Sequence, residues 1–60
     1  LQKNTCNNNG SYGIQLWIST TNSTVNDNEC LGNATCDIIA DPSGSGNTEM
    51  NNTASCIMGF

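Results

Sequence analysis

Cys6, Cys30, Cys36 and Cys56 are the residues best suited to covalent chemistry in this 60-residue chain. An even number of cysteines in a short chain without histidine reads as a disulfide framework. A zinc site would ask for cysteines paired two to four residues apart, often with histidine beside them. The spacing here does not provide those pairs, and no metal is expected. Four cysteines allow three connectivities. The expected one pairs Cys30 with Cys36 around a small loop and Cys6 with Cys56 across the ends of the chain, although spacing alone leaves all three open.

The second chemical signal is the pattern Asn-X-Ser/Thr, the acceptor of N-linked sugars. It occurs at Asn9, Asn22, Asn33 and Asn51, and a weaker variant, Asn4-Thr5-Cys6, precedes them. With 11 asparagines and 13 serines and threonines, chance placement would give about two or three such sites. Four is a mild excess. Support for glycosylation therefore comes from agreement with two other features, the disulfide compartment and the scarcity of surface charge.

Other chemistries are poorly served. Without histidine there is no Ser-His-Asp or Cys-His nucleophile system. Asp27 with Glu29, or Asp37 with Asp41, could act as paired carboxylates, but such pairs need a cleft that raises one pKa. These acids are expected to be solvated turn residues, and the chain is expected not to be an enzyme. Asp41, Ser43 and Ser45 with Gly46 follow the oxygen spacing of an EF-hand loop, yet position twelve is Asn52 rather than glutamate. A flexible loop is the better reading, and no cofactor is implied. Tyr12 and Trp17 would fall on opposite faces of an unbroken strand, so they form no sugar-binding platform. Trp17 is expected in a second apolar layer; if exposed, it is the best candidate for contact with another chain.

Charge narrows the partners further. Lys3 is the only basic residue against five acids, for a net charge of −4. One lysine cannot neutralise a run of phosphates, which excludes nucleic acid, and anionic membrane surfaces are unfavourable for the same reason. No apolar run approaches the roughly 18 residues of a membrane span. Only 10% of the residues are charged, well below the roughly 25% of ordinary soluble domains. Attached sugars would supply the missing solubility. Disulfides place the chain outside the cell or on its surface, and a start at Leu1 fits a mature product or an excerpt or repeat of a longer protein.

The elements that must carry these groups are short. Ile14, Leu16 and Ile18 alternate with Gln15, Trp17 and Ser19, which predicts a half-buried strand over 12–20. Asn9-Gly10 is a strong hairpin signal. Residues 20–29 read as a long polar loop. Asp37-Ile38-Ile39-Ala40 reads as a buried strand, 41–46 as a turn and flexible loop, and 54–60 as a terminal strand. The region around Thr48-Glu49-Met50 could form one helical turn. No internal repeat is evident.

The expected fold is therefore one small all-β, or mostly irregular β, disulfide-stapled domain over 1–60, with three to four short strands and long polar loops. Too few large apolar side chains are present to stabilise so short a chain without crosslinks. The expected role is a non-catalytic structural glycoprotein module, such as part of a glycan-coated layer, a stalk or an extracellular fibre. Self-assembly would proceed through the unpaired edges of the strands near Ile14–Ile18 and Ser55–Phe60. A small secreted ligand, such as a pheromone, effector or toxin-like factor, is the alternative. A protease inhibitor is disfavoured, because a sugar on Asn33 would obstruct the one loop bracketed by cysteines.

Overall fold

A computed structural model describes every residue from Leu1 to Phe60 and contains no helix. Seven short strands form: β1 Tyr12–Leu16, β2 Thr24–Asn26, β3 Glu29–Cys30, β4 Cys36–Ala40, β5 Thr48–Met50, β6 Thr53–Ala54 and β7 Ile57–Met58. The small all-β, disulfide-stapled class is as expected; the strands are more numerous and shorter. Every pairing is parallel. β1 lies beside β4 and β4 beside β7, while β2 pairs with β5 and β3 with β6.

The register explains the arrangement. Ile14 sits beside Ile38, Thr24 beside Thr48 and Glu29 beside Thr53. Isolated bridges extend the pattern, joining Gln2 to Asn26, Thr5 to Glu29 and Thr21 to Ser45. In each of these pairs the partners stand one full circuit of the chain apart, the same separation of 24 that joins Cys6 to Cys30. The chain thus winds as a β-solenoid: a first coil over 1–24, a second over 25–48 and half a third over 49–60. Parallel neighbours about 4.8 Å apart stack these coils into a flat body, 13 Å in its shortest dimension.

A repeat is therefore present where none was evident in the sequence. Asn9-Gly10 does not close a hairpin. Asn8 adopts φ 60°, and the chain turns a corner and runs on instead of reversing. The polar stretch 20–29 holds β2 and β3, and Thr48–Met50 is strand. The first long strand stops at Leu16, so Ile18, expected inside, is 57% exposed.

The interior consists of columns of side chains, one from each coil. Ile14, Leu16, Val25, Cys30, Ile38 and Ala40 form the buried cluster, with Cys6, Ala54 and Ile57 packed against it. Such a core is thin, because each coil buries its inward face only against the coils beside it. Covalent bonds reinforce the stack. Cys6 is bonded to Cys30 and Cys36 to Cys56. Both pairings differ from the expected connectivity. Stacking brings residues of successive coils together, at Cα separations of 4.6 and 5.1 Å, so each bridge stitches one coil to the next. Crosslinks over separations of 24 and 20 residues contribute about 3 kcal/mol each by restricting the unfolded chain.

Candidate functional site

The asparagines carry most of the polar order of this molecule. At each corner one residue takes a left-handed conformation: Lys3, Asn8 and Asn22 in the first coil, Asp27, Gly32 and Gly46 in the second, Asn51 in the third. Gly32 and Gly46 adopt φ 69° and 70°, where glycine lacks the steric penalty of a side chain. Such a corner swings the next residue out of the sheet, and its backbone N–H loses a ladder partner.

Four asparagines that follow corners repair this defect identically. Asn28 Oδ1 accepts the backbone N–H of Asn4 at 2.9 Å, and its Nδ2 donates to the Leu1 carbonyl at 3.2 Å. Asn33 does the same with the Asn9 N–H and the Cys6 carbonyl, at 2.9 and 2.8 Å. Asn47 joins the Ser23 N–H to the Thr20 carbonyl, at 3.0 and 2.8 Å. Asn52 joins the Asn28 N–H to the Val25 carbonyl, at 2.9 and 2.7 Å. Each side chain supplies one acceptor and one donor to the coil before it. Aspartate lacks the donor and leucine lacks both, so only an amide completes this staple. Asn28 is the central rung of a continuous Asn4–Asn28–Asn52 ladder and is 2% exposed.

The pattern breaks once. In the third coil β7 slips, placing Ile57 beside Ile38 and Cys56 within bonding reach of Cys36. No asparagine arrives beneath Asn33, and Asp37 takes that place from within the second coil. Its Oδ1 accepts the Asn33 Nδ2–H at 2.8 Å and the Asn33 backbone N–H at 3.1 Å. Its Oδ2 accepts the backbone N–H groups of Ser55 and Cys56, at 2.9 and 3.1 Å. The Asn33 side-chain bond, followed by backbone bonds from Asn33, Ser55 and Cys56, outweighs desolvation and lowers the Asp37 pKa. Asp41 is also held low, by the backbone N–H and the side chain of Ser43.

This geometry divides the four sequons into two kinds. Asn33 is half-buried, and its Nδ2, the atom that would carry a sugar, already donates to Cys6 and Asp37. Asn9 is exposed, but its Nδ2 donates to Asn33 Oδ1 at 2.8 Å. In the weaker variant, Asn4 Nδ2 likewise donates to Asn28 Oδ1, and Cys6 is oxidised. Asn22 and Asn51 are different. Both are the left-handed corner residues themselves, both are exposed, and neither Nδ2 takes part in a hydrogen bond.

No protein-family model, curated protein or solved structure matches the chain.

The remaining candidates lie apart from one another. Trp17 is 64% exposed, contrary to the expected second apolar layer, because β1 ends one residue before it. Tyr12 is half-buried beside Cys36. Asp27 forms a corner, while Glu29 accepts a hydrogen bond from Asn7 Nδ2 at 2.8 Å. Asp37 faces inward and Asp41 caps a surface turn, so the second carboxylate pair is split as well. Asn52, position twelve of the calcium-like loop, is committed to the interior staple. No three acidic or cysteine side chains converge, and no helix is long and apolar enough to cross a membrane.

The staple asparagines were missed as structural residues because buried asparagine is uncommon. Their signal lies in the dipeptides Asn8-Asn9, Asp27-Asn28, Gly32-Asn33, Gly46-Asn47 and Asn51-Asn52. In each, a residue tolerant of positive φ precedes an amide that can bridge coils.

Proposed function

We propose that this chain is a non-catalytic structural module of an extracellular glycoprotein, a short length of β-solenoid with sugars on its corners. One observation carries the reading: nearly all of its distinctive polar residues are spent on joining one coil to the next. Asn28, Asn33, Asn47 and Asn52 are occupied as staples, and Asp37 holds the last junction. The two disulfides span successive coils, which supports a secreted or surface location. Such a molecule resists unwinding and offers long edges for assembly.

The sugars belong on Asn22 and Asn51, whose amide nitrogens are free and point from exposed corners. Asn9 and Asn33 should remain bare in the folded protein, since a sugar on either would disturb a staple. Trp17, exposed beside Ile18 on the first coil, is the side-wall residue best suited to touch a neighbouring molecule.

Secretion of the chain from eukaryotic cells, followed by intact-mass and peptide mass spectrometry before and after glycosidase treatment, tests this reading. Occupancy at Asn22, Asn51 or both is expected, with Asn9 and Asn33 unmodified. A secreted protein whose mass is unchanged by glycosidase would remove the glycoprotein reading. Heavy occupancy at Asn33 would contradict the division of the sequons.

A further inference from the structure

We infer that the two ends of this solenoid dock on each other, so that the third coil of one copy seats on the first coil of a second copy. The inference rests on the structural reading above and adds the partner and the surface. It starts from the polarity of the ladder. At the first junction the Cys6 N–H donates to the Glu29 carbonyl, and the Glu29 N–H to the Asn4 carbonyl, both at 2.8 Å. The Asn4 N–H donates to Asn28 Oδ1. Residues 4 and 6 therefore face the second coil, and Thr5 between them turns its own N–H and C=O toward the open end.

The opposite end presents the matching half. The Thr53 N–H donates back to the Asn28 carbonyl at 2.8 Å. Its neighbours Asn52 and Ala54 accordingly turn their backbone groups away from the second coil. When Thr5 of a second copy is set over Thr53, the pattern of the first junction recurs without adjustment. The Ala54 N–H meets the Thr5 carbonyl, the Thr5 N–H meets the Asn52 carbonyl, and the Asn52 N–H meets Asn4 Oδ1, which accepts no hydrogen bond within its own chain. The Asn4–Asn28–Asn52 ladder and the Ile14–Ile38–Ile57 column run on into the next copy. Such a contact joins unlike surfaces, so it does not close on itself and builds a filament. Asn22 and Asn51 sit at corners, and sugars there would clothe the sides of that filament while leaving its ends free.

Sedimentation of the oxidised 60-residue chain over a wide concentration range tests the inference. The mean mass should rise with concentration. Thr5→Pro removes an N–H that faces only the open end, and should weaken association at least tenfold while the circular dichroism spectrum is retained. The double variant Thr5→Lys/Thr53→Lys should do the same. Each lysine lies beside Glu29 in its own chain, whereas across the contact the two lysines meet face to face. A third variant is independent of both. Gln2 and Met50 are the outer members of one column around Asn26, two coils apart and too far apart to bridge within a chain. Gln2→Cys/Met50→Cys should therefore form a covalent ladder between copies on oxidation. A folded wild-type protein that stays monomeric at every concentration, with no ladder from the cysteine variant, would overturn the inference. Assembly that both Thr5 variants leave unchanged would overturn it too. A glycosylated but monomeric protein would defeat the docking alone, whereas a bare protein that stacks in this register would defeat the glycoprotein reading alone.

Discussion

The contact between the first and second coils is made of neutral amides, whereas the contact between the second and third depends on a carboxylate. At the first junction every face keeps the same register, and Asn28, Asn33 and Asn47 close the corners. At the second, Asn52 closes one corner, then the register slips and Asp37 gathers four N–H donors in place of the missing amide. A regular solenoid can be held by identical parts, because each coil offers the next the same unmet groups. Where a coil is shortened the donors fall out of phase. An acceptor with two oxygens is then more useful than an amide with one, and the junction acquires a dependence on pH that the first one lacks.

The largest effect that would sharpen this contrast comes from the disulfides. Cys36→Ser/Cys56→Ser and Cys6→Ser/Cys30→Ser should each cost about 3 kcal/mol of unfolding free energy, since the closed loops are of similar length. The pattern of the loss should differ. Without the Cys36–Cys56 bond, amide protection should fall first over 53–60, where few staples remain. Without the Cys6–Cys30 bond, protection should fall throughout, because the first junction organises both flanking coils. Hydrogen exchange read residue by residue in urea would decide it. Loss of the same shape in both variants would mean that the junctions do not act as separate units.

The sequence disclosed these parts unevenly. The all-β class, the disulfides and the buried strand around Ile38 were legible, because β-branched residues and an even cysteine count act through local or compositional physics. The coil was not legible. Asn4 with Asn28, Cys6 with Cys30, Asn9 with Asn33, Ile14 with Ile38 and Ser19 with Ser43 do recur in register, but the outward positions between them vary without constraint. Gln15 stacks over Ile39 and Leu16 over Ala40. A search for hydrophobic periodicity therefore finds one strand and no repeat. The disulfide pairing was hidden for the same reason, since it follows from stacking and not from nearness along the chain. Asn9 and Asn33 looked like surface acceptors for sugar because the rule that polar residues face solvent fails where a solenoid turns a corner.

Acid probes the second junction directly. The Asp37 pKa is lowered in the folded protein by the Asn33 side chain and by backbone donors from Asn33, Ser55 and Cys56. Its contribution is fully present above the ordinary carboxylate value of 3.8, and is lost as pH falls through the lower folded value. Stability should thus decline below about pH 4, with the earliest exchange in 53–60. Asp37→Asn should be less stable at neutral pH, since it turns an NH₂ group toward Ser55 and Cys56, and should flatten the acid limb. Asp41→Asn is the control, because Asp41 is lowered in the same direction by Ser43 but lies outside the junction. If Asp41→Asn flattens the curve and Asp37→Asn does not, the carboxylate is not what holds the shortened coil.

The smallest effect concerns the asparagine that follows no corner. Asn26 lies within β2, between Gln2 of the first coil and Met50 of the third, in register at both junctions. Its backbone N–H is paired with the Leu1 carbonyl at 2.9 Å, so its side chain has no orphaned group to serve. Its own Oδ1 is buried with no hydrogen-bond partner. An amide is therefore useful here only after a left-handed residue, and within a strand it leaves an acceptor unmet. Asn26→Val keeps the backbone ladder and adds a β-branched side chain suited to it. It should stabilise the fold by about 1 kcal/mol, seen as a rise of about 4–8 °C in melting temperature for a domain of this size. Asn28→Val, two positions away and just past the Asp27 corner, should lower the melting temperature instead. If both substitutions moved it in the same direction, the asparagines would be acting through composition and not through their place on the coil.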